Sequence, residues 1–267
     1  MFVKINSVIF KNLKEEIMNE QGKQQKAFDK SIGAYEYKMN YTFTGMIHHI
    51  IKEESIKLLD PRAGEKILDI GCGCGEIAIM AAEKGAIVRA FDISNERIAL
   101  AKKRAENKDL DVSFYVGDSQ KINEEESSFD KVMCINVVHR LSDPAKCLSG
   151  IFKSLKKDGL LIIFTMNNYS PQFFLVKFYS KIRDMIKKPL SDIVAKKGFT
   201  SSQIRNLLEK NGFRVISLTT DIFCFPYFPT YCPKIVNWFL KKMDCLFKKT
   251  PLVNKLGALI KIEVIKK

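Results

Sequence analysis

The sequence predicts an α/β fold, a seven-stranded and mostly parallel sheet flanked by helices. First, short apolar runs alternate with helix-like segments from Lys66 onward, the pattern of a parallel sheet covered on both faces. Second, the first apolar run ends in closely spaced glycines at positions 71, 73 and 75. Third, 267 residues of which 46% are hydrophobic suffice for the core of one sizeable domain.

Seven apolar runs are predicted to form the strands of this sheet. They are Lys66–Ile70, Ala86–Asp92, Asp111–Gly117, Phe129–Asn136, Gly159–Met166, Phe213–Thr219 and Ala258–Ile265. Four segments between them have helical periodicity: Gly75–Lys84, Asn95–Glu106, Asp143–Lys156 and Thr200–Gly212. Pro144 suits a first helical turn, and Thr200 is placed to cap the helix that follows it.

Three segments do not fit the alternation and are predicted to be additions to the sheet domain. Residues 1–62 have a mostly helical pattern and are expected to form an N-terminal cap before the sheet domain of residues 63–267. Residues 167–199 and 222–257 interrupt the series after the fifth and sixth strands. We expect both of them to be lid-like insertions.

The distribution of charge is uneven along the chain. Residues 1–149 carry 22 Lys and Arg against 23 Asp and Glu, whereas residues 150–267 carry 22 against 7, so the net charges of −1 and +15 give the total of +14. The excess indicates an anionic partner, which can be a lipid surface, a nucleic acid or an acidic substrate; a generally lysine-rich surface explains it equally well.

Apolar runs and cysteines limit the class of protein further. No run approaches the roughly 18 apolar residues of a membrane span, and the charged N-terminal stretch lacks the apolar core of a signal peptide, so a cytoplasmic protein is expected. The seven cysteines are an odd set, mostly in apolar runs, which favours reduced thiols. Cys72 and Cys74 lack the spacing of a zinc site, so no metal is expected.

The glycine-rich turn, ILDIGCGCGE, carries most of the functional information. Closely spaced glycines let the backbone approach a ligand, and the following helix offers N–H groups and the positive end of its dipole. A dinucleotide site would require glycine at position 76, which is glutamate. Asp69 precedes the glycines and would repel a pyrophosphate, but it suits a cofactor with a cationic amino group and a sulfonium. This favours S-adenosylmethionine.

This motif resembles the first motif of class I, Rossmann-like, S-adenosylmethionine-dependent methyltransferases. The resemblance extends in order through IVRAFDIS, FYVGDSQKI, FDKVMCINVVHRLSDP and RNLLEKNGFRVI, and covers about residues 63–220 plus the last strand. Five elements in the right order are far more specific than one glycine loop. The chain is most similar to the small-molecule type, including the quinone-biosynthesis group.

The resemblance implies a set of cofactor-binding positions. Asp92 corresponds to the acidic residue that accepts both ribose hydroxyls, and Asp118 to the residue that accepts the adenine amino group. The complete implied set is Asp69, Gly71, Cys72, Gly73, Gly75, Asp92, Ile93, Asp118, Ser119 and Asn136.

His139 is the candidate catalytic residue. Methyl transfer is an in-line displacement that depends mainly on positioning in a dry pocket, so no universal catalytic group is needed, although a hydroxyl acceptor benefits from a base. His139 follows the fourth strand, where the family places substrate-facing residues; a packing role is the alternative. His48 and His49 are adjacent on a predicted cap helix, so at most one of them faces the pocket.

The predicted methyl acceptor is a small molecule, lipophilic or anionic. The fourth strand ends in Asn136, Val137, Val138 and His139, not in the Asn/Asp-Pro-Pro-aromatic motif of base N-methyltransferases. Aromatic and basic segments, Phe173–Lys188 and Tyr227–Lys249, suggest peripheral contact with an anionic membrane; packing as an ordinary lid is the alternative. An RNA methyltransferase and a non-catalytic S-adenosylmethionine-binding protein remain as other interpretations, although nucleic acid is disfavoured. Oligomeric state is not predicted.

Overall fold

The computed structural model describes residues 43–170, 198–221 and 256–267. The helices are α1 (Phe43–Leu59), α2 (Glu76–Ala82), α3 (Asn95–Ala105), α4 (Pro144–Ser154) and α5 (Ser201–Lys210), with a short 3-10 helix at Val138–Arg140. The strands are β1 (Lys66–Ile70), β2 (Ile87–Asp92), β3 (Val112–Val116), β4 (Phe129–Ile135), β5 (Leu155–Met166), β6 (Phe213–Asp221) and β7 (Leu259–Lys266).

The strands form one seven-stranded sheet in the order β3-β2-β1-β4-β5-β7-β6. Strands β1 to β5 pair in parallel, whereas β7 runs antiparallel between β5 and β6. The predicted seven-stranded, mostly parallel α/β class is therefore confirmed. The strand order reverses between β1 and β4, and sheets of this kind bind ligands at the carboxyl ends of the strands beside such a reversal.

Two apolar layers hold the sheet between its helices. Alternate residues of each central strand face opposite layers, as Ile67 and Leu68 of β1 do. Helices α1, α2 and α3 contribute to the first layer, and α4 and α5 contribute to the second. Each central strand is therefore apolar on both faces, which explains why the strands read as continuous apolar runs.

The first residues of several helices are stabilised by residue types that favour a helix N-terminus. Ser94 accepts a hydrogen bond from the backbone N–H of Arg97 at the start of α3. At α5, Thr200 and Gln203 form a reciprocal capping box, so the predicted cap at Thr200 is confirmed. Pro144 occupies the first turn of α4, as predicted.

The predicted boundaries differ from the structure most at the junction of α4 and β5. The helix predicted to extend to Lys156 ends at Ser154, and β5 begins at Leu155 instead of Gly159. Leu155 is fully buried, and it pairs with Phe129 before the register between β4 and β5 shifts. Burial and pairing of Leu155 therefore override the helical periodicity of the preceding residues.

Both predicted insertions leave the sheet on the same side. The segment after β5 is closed at its base, where Asn168 donates to the carbonyl of Gly198 at 2.7 Å and accepts from its N–H at 3.1 Å. Asn167 donates to the carbonyl of Gly257 at 2.7 Å, which ties the base of the second segment to the first. Most of the two predicted lids, residues 171–197 and 222–255, lies outside the described residues. Residues 1–42 of the predicted cap lie outside them as well.

None of the helices in the described part of the chain is long and apolar enough to cross a membrane.

Candidate functional site

The candidate site lies at what we call the mouth, the sheet edge marked by the strand ends Ile70, Asp92, Val116, Ile135 and Met166. Most residues predicted to bind a cofactor follow one of these ends. The glycine loop follows β1, Asp92 ends β2, Asp118 follows β3 and Asn136 follows β4. The topology thus collects positions that are far apart in the sequence at one edge.

The glycines of the loop have different physical roles. A Cβ atom at Gly71 would lie 2.2 Å from the side chain of Val137, and one at Gly75 would lie 2.8 Å from Ala101 and Phe114. These two glycines therefore allow close packing. Gly73 has φ +55°, and the nearest atom to its Cβ position is Nη1 of Arg97 at 3.8 Å. The backbone at Gly73 therefore faces open space that a ligand can approach.

Asp92 connects the end of β2 to the glycine loop. It is only 7% exposed, its Oδ2 accepts from the N–H of Gly73 at 3.0 Å, and its Oδ1 accepts from the N–H of Ser94 at 3.0 Å. Each carboxylate oxygen can accept a further hydrogen bond. Asp92 can therefore hold the loop and receive two ligand hydroxyls at the same time.

Asp69 is a buried carboxyl group beside this site. It is 2% exposed, and its Oδ2 has no hydrogen-bond partner among the residues described. Burial, and secondly the negative charge of Asp92, raise the pKa of Asp69 to about 8. The side chain is therefore largely protonated at neutral pH, and a cationic ligand group would stabilise its charged form.

The thiols of the loop are unreactive by the same argument. Burial raises the pKa of Cys72 well above its ordinary value and that of Cys74 to about 11. Cys72, Cys74, Cys134 and Cys147 are free thiols. Within the described ranges, no group of three or more His, Cys, Asp or Glu side chains is arranged to hold a metal ion.

Asp118 and Ser119 follow β3, and Ile93 follows β2; all three are half-buried. The carboxylate of Asp118 accepts from the N–H of Gln120 at 2.9 Å, which folds the turn back on itself. The N–H of Gly117 donates to the carbonyl of Asp92 at 3.0 Å. The two acidic residues therefore border the same part of the mouth.

Asn136 and His139 lie at the end of β4. Asn136 has φ 60°, its N–H donates to Phe164 at 2.9 Å, and its carbonyl accepts from Nε of Arg140 at 3.0 Å. His139 is 6% exposed, and its Nδ1 lies 3.2 Å from Oγ1 of Thr165. Nε2 of His139 has no partner among the described residues. Burial, and secondly the charge of Arg140, lower the pKa of His139 to about 3, so the ring is neutral.

Helix α1 brings additional charged groups to the site. Lys52 lies 3.4 Å from Glu76, which also lies 3.3 Å from Arg104. His48 is half-buried whereas His49 is exposed, in agreement with the expectation that at most one of the pair faces inward. Burial lowers the pKa of His48; the negative charge of Glu76 opposes this effect, and the positive charges of Lys52, Arg140 and Arg97 add to it.

Two arginines of the mouth, Arg97 and Arg140, are absent from the sequence prediction. Arg97 is in the first turn of α3, and Arg140 directly follows His139. Their place in the sequence could have indicated them, because both are cationic residues within a few positions of a strand end that carries a predicted site residue.

This fold and this mouth define a class: a Rossmann-like enzyme with the glycine loop and strand-end carboxylates of methyltransferases. The chain belongs to a family of methyltransferases, since the family model described as a methyltransferase domain matches residues 61–217. It is an S-adenosylmethionine-dependent methyltransferase of the small-molecule type. The open backbone at Gly73, the pair of acceptor oxygens on Asp92 and the buried Asp69 fit the uncharged and cationic parts of this cofactor.

Similar proteins include enzymes with different acceptors. A ubiquinone biosynthesis O-methyltransferase of Coxiella burnetii is 24% identical over 175 residues, 64% of this chain and 74% of that protein. Phosphoethanolamine N-methyltransferase 2 of Caenorhabditis elegans is 32% identical over 187 residues, 66% of this chain and 42% of that protein. A solved S-adenosylmethionine-dependent methyltransferase of Thermotoga maritima has TM-score 0.60 and 19% identity, over 90% of this chain and 99% of that one.

Proposed function

We propose that this methyltransferase transfers a methyl group to a small lipophilic molecule by direct in-line displacement. The observation that carries the proposal is the mouth itself, in which the buried carboxyl groups of Asp69 and Asp92 and the open backbone of Gly73 belong to β1, β2 and the loop after β1, and the buried ring of His139 follows the neighbouring strand β4. One half suits the cofactor, and the other half is left for an acceptor.

The residues of the cofactor half have distinct proposed roles. Asp92 accepts the two ribose hydroxyls with the lone pairs that Gly73 and Ser94 do not use. Asp118 and Ser119 border the adenine, with Ile93 beside it. Asp69 faces the cationic amino group.

The remaining residues predicted to bind the cofactor are proposed to position the glycine loop. These are Gly71, Cys72, Gly75 and Asn136, whose backbone geometry and close packing hold the loop against β4 and α3. Their side chains supply no charged group to the ligand.

The cofactor, when bound, supplies a methyl group on a sulfonium centre, and transfer breaks that carbon–sulfur bond as the bond to the acceptor forms. The chain's contribution is to exclude water and to orient the acceptor. His139 stays a candidate for this work: if its Nδ1 donates to Thr165, its Nε2 is a neutral hydrogen-bond acceptor for a hydroxyl. The low pKa favours orientation of that hydroxyl over full proton transfer.

Two lines of evidence support a lipophilic acceptor. The insertions rich in aromatic residues begin and end at the carboxyl ends of β5 and β6, beside the mouth. The name of the Coxiella relative refers to the biosynthesis of a lipophilic quinone through O-methylation. Neither the family nor these relatives favour an RNA methyltransferase or a non-catalytic binding protein.

Methyl incorporation tests the proposal. Purified protein with S-adenosylmethionine labelled in the methyl group would be incubated with catechols, quinol precursors, hydroxylated fatty acids, amines and RNA. We expect label in a solvent-extractable product, and much less with Asp92→Ala. Label only in RNA would contradict the proposal, and cofactor binding without turnover across the panel would favour a binding protein.

We also propose peripheral contact with anionic membranes, through Phe173–Lys188 or Tyr227–Lys249. The support is the net charge of residues 150–267, which is +15. Each lysine near such a surface contributes on the order of 1 kcal/mol, and the attraction fades as salt shortens the Debye length. Sedimentation with anionic and neutral vesicles at two salt concentrations tests this. Attachment to anionic vesicles at low salt only is expected, and no attachment to either vesicle would refute it.

A further inference from the structure

Gln120 connects the loop after β3 to the segment that follows His139. Its Oε1 accepts hydrogen bonds from Oγ of Ser142 and from the N–H of Asp143, both at 2.8 Å. Its own N–H donates to the carboxylate of Asp118 at 2.9 Å. One residue therefore contacts the turn of Asp118 through its backbone and the segment after the 3-10 helix through its side chain.

Strand pairing in the described sheet does not join these two loops. In the strand order β3-β2-β1-β4, two strands lie between β3 and β4. The loop after β3 belongs to the half of the mouth formed by β1 to β3, and the loop after β4 belongs to the half formed by β4 and β5. The side chain of Gln120 is therefore a direct polar link between the two halves.

The chain on both sides of this link is held in place. Ile122 packs against α4, since a Cβ atom at Gly150 would lie 2.8 Å from Cβ of Ile122. The side chain of Glu124 is 5% exposed and accepts a hydrogen bond from the hydroxyl of Tyr115 on β3. Because its neighbours are already fixed, Gln120 forms its two side-chain hydrogen bonds at a low cost in conformational entropy.

The segment that Gln120 holds is short. Leu141, Ser142 and Asp143 are the whole connection between the 3-10 helix and α4, and Gln120 binds two of these three residues. His139 is the middle residue of the 3-10 helix, three positions before Ser142. Anchoring the connection therefore limits the positions that the ring of His139 can take.

We propose that Gln120 is a positioning residue that couples occupation of the cofactor site to the orientation of His139. The inference rests on the proposed function, in which Asp118 borders the adenine and His139 orients the acceptor. An adenine against the turn of Asp118 fixes the place of Gln120, and the amide oxygen of Gln120 fixes the connection before α4. Such coupling is reciprocal, so an acceptor beside His139 also strengthens cofactor binding.

NMR signals of the histidine rings test this coupling without any acceptor. The chain has three histidines, so protein isotopically labelled in its histidine rings gives few signals, and His139→Gln identifies the signal of His139. The probe is adenosine, which carries the adenine and the ribose and lacks the amino-acid part of the cofactor. We expect saturating adenosine to shift the His139 signal of the wild-type protein.

Two variants of Gln120 identify the group that carries the coupling. Gln120→Met keeps the length of the side chain but removes the oxygen acceptor, whereas Gln120→Glu keeps an oxygen acceptor. We expect the adenosine-induced shift of the His139 signal to be mostly lost with methionine and retained with glutamate. The affinity for adenosine should change less than about threefold in both variants.

Gln203→Met is the matched control. Oε1 of Gln203 also accepts a backbone N–H, that of Thr200 at 2.9 Å, but it does so at the start of α5. This variant removes the same chemical group from a helix cap, so it should lower stability and leave the shift of the His139 signal intact. Circular dichroism of all three variants shows that each is folded.

Turnover is the second measurement. With the acceptor found in the labelling assay, Gln120→Met should lower kcat about threefold to fivefold while the KM for S-adenosylmethionine changes less than about twofold. Gln120→Glu should restore most of the loss. In a chain that already carries His139→Gln, Gln120→Met should have no further effect on kcat, because Gln120 acts through His139.

Three outcomes would overturn the inference. They are a His139 signal that adenosine does not shift in the wild-type protein, an equal shift in Gln120→Met, and a loss of kcat in Gln120→Met that adds in full to that of His139→Gln. Failure of adenosine and S-adenosylhomocysteine to bind the wild-type protein would instead refute the cofactor site. The absence of any methylated small molecule in the labelling assay would refute the proposed function and leave the NMR comparison unaffected.

Discussion

The two halves of the mouth differ in how their polar groups are satisfied. In the half formed by β1 to β3, Asp92 and Asp118 accept backbone N–H groups, and the loop closes on itself. In the half formed by β4 and β5, Nε2 of His139 is buried without a partner among the described residues, and Arg140 adds positive charge. Apart from Oδ2 of Asp69, which has no hydrogen-bond partner among the described residues, the first half is organised before any ligand arrives, whereas the second presents the ring of His139, which we propose an acceptor would complete.

This contrast predicts different consequences of mutation. Changes in the first half should act on the affinity for S-adenosylmethionine and S-adenosylhomocysteine. Changes in the second half should act on turnover and leave that affinity nearly unchanged.

The largest expected effect is that of Gly73→Val. A branched side chain would occupy the space beside the cofactor and would hold φ +55° only under strain, so we expect the affinity for S-adenosylhomocysteine to fall at least about 100-fold. Gly64→Val is the matched control, since Gly64 has φ +78° and open space but lies before β1, away from the mouth. Calorimetry should show normal binding in the control. Normal binding by Gly73→Val would contradict the assignment of the glycine loop to the cofactor site.

Asp92→Ala should have the next largest effect. Loss of two charged hydrogen bonds to ribose costs about 1.5–3 kcal/mol, which is roughly a tenfold to 100-fold loss of affinity. Asp130→Ala is the control, because Asp130 also accepts a backbone N–H, that of Lys66 at 2.9 Å, but at the opposite edge of the sheet. If both variants bind S-adenosylhomocysteine equally well, Asp92 does not contact the ribose.

The pH dependence of S-adenosylhomocysteine binding tests the half of the mouth formed by β1 to β3 without any mutation. Asp69 must lose its proton to face a cationic ammonium group, so the affinity for S-adenosylhomocysteine should rise about fivefold from pH 7 to pH 8, and about tenfold per unit at lower pH. 5′-Methylthioadenosine, which has no ammonium group, should lack this dependence. Asp69→Asn should also abolish it.

The same carboxyl group predicts the opposite trend for stability. The pKa of Asp69 in the folded chain is raised above its ordinary value, so its contribution is complete at low pH and is lost as pH rises toward 8. The ligand-free wild-type protein should therefore lose more free energy of unfolding between pH 5 and pH 8 than Asp69→Asn does. Denaturant unfolding at the two pH values measures this. Identical pH dependence in both proteins would contradict the raised pKa.

The sequence was most informative about the half of the mouth formed by β1 to β3, because glycines and acidic residues at strand ends can be recognised in the sequence. The alternation of apolar runs and helix-like segments predicted the fold class, the glycine-rich turn indicated Asp69, and the family resemblance implied Asp92 and Asp118, which stay predictions as cofactor-binding residues. Arg97 and Arg140 were missed because an arginine in a helical turn carries no sign in the sequence that the fold will place it beside the glycine loop or the end of β4. The state of His139 was equally hidden, since its pKa is lowered by burial, and secondly by the charge of Arg140, in the folded chain.

The smallest expected effect concerns the pair formed by His139 and Thr165. Because His139 is neutral and is oriented through Thr165, His139→Gln should lower kcat about tenfold, the worth of one hydrogen bond to the reacting hydroxyl, and Thr165→Val should lower it less. Affinity for S-adenosylhomocysteine should change less than about twofold in either variant. Rates with the acceptor found in the labelling assay, measured from pH 6 to 9, provide the check. A general base would give a loss of 100-fold or more with an altered pH profile. An unchanged kcat in both variants would show that the ring of His139 has a packing role only.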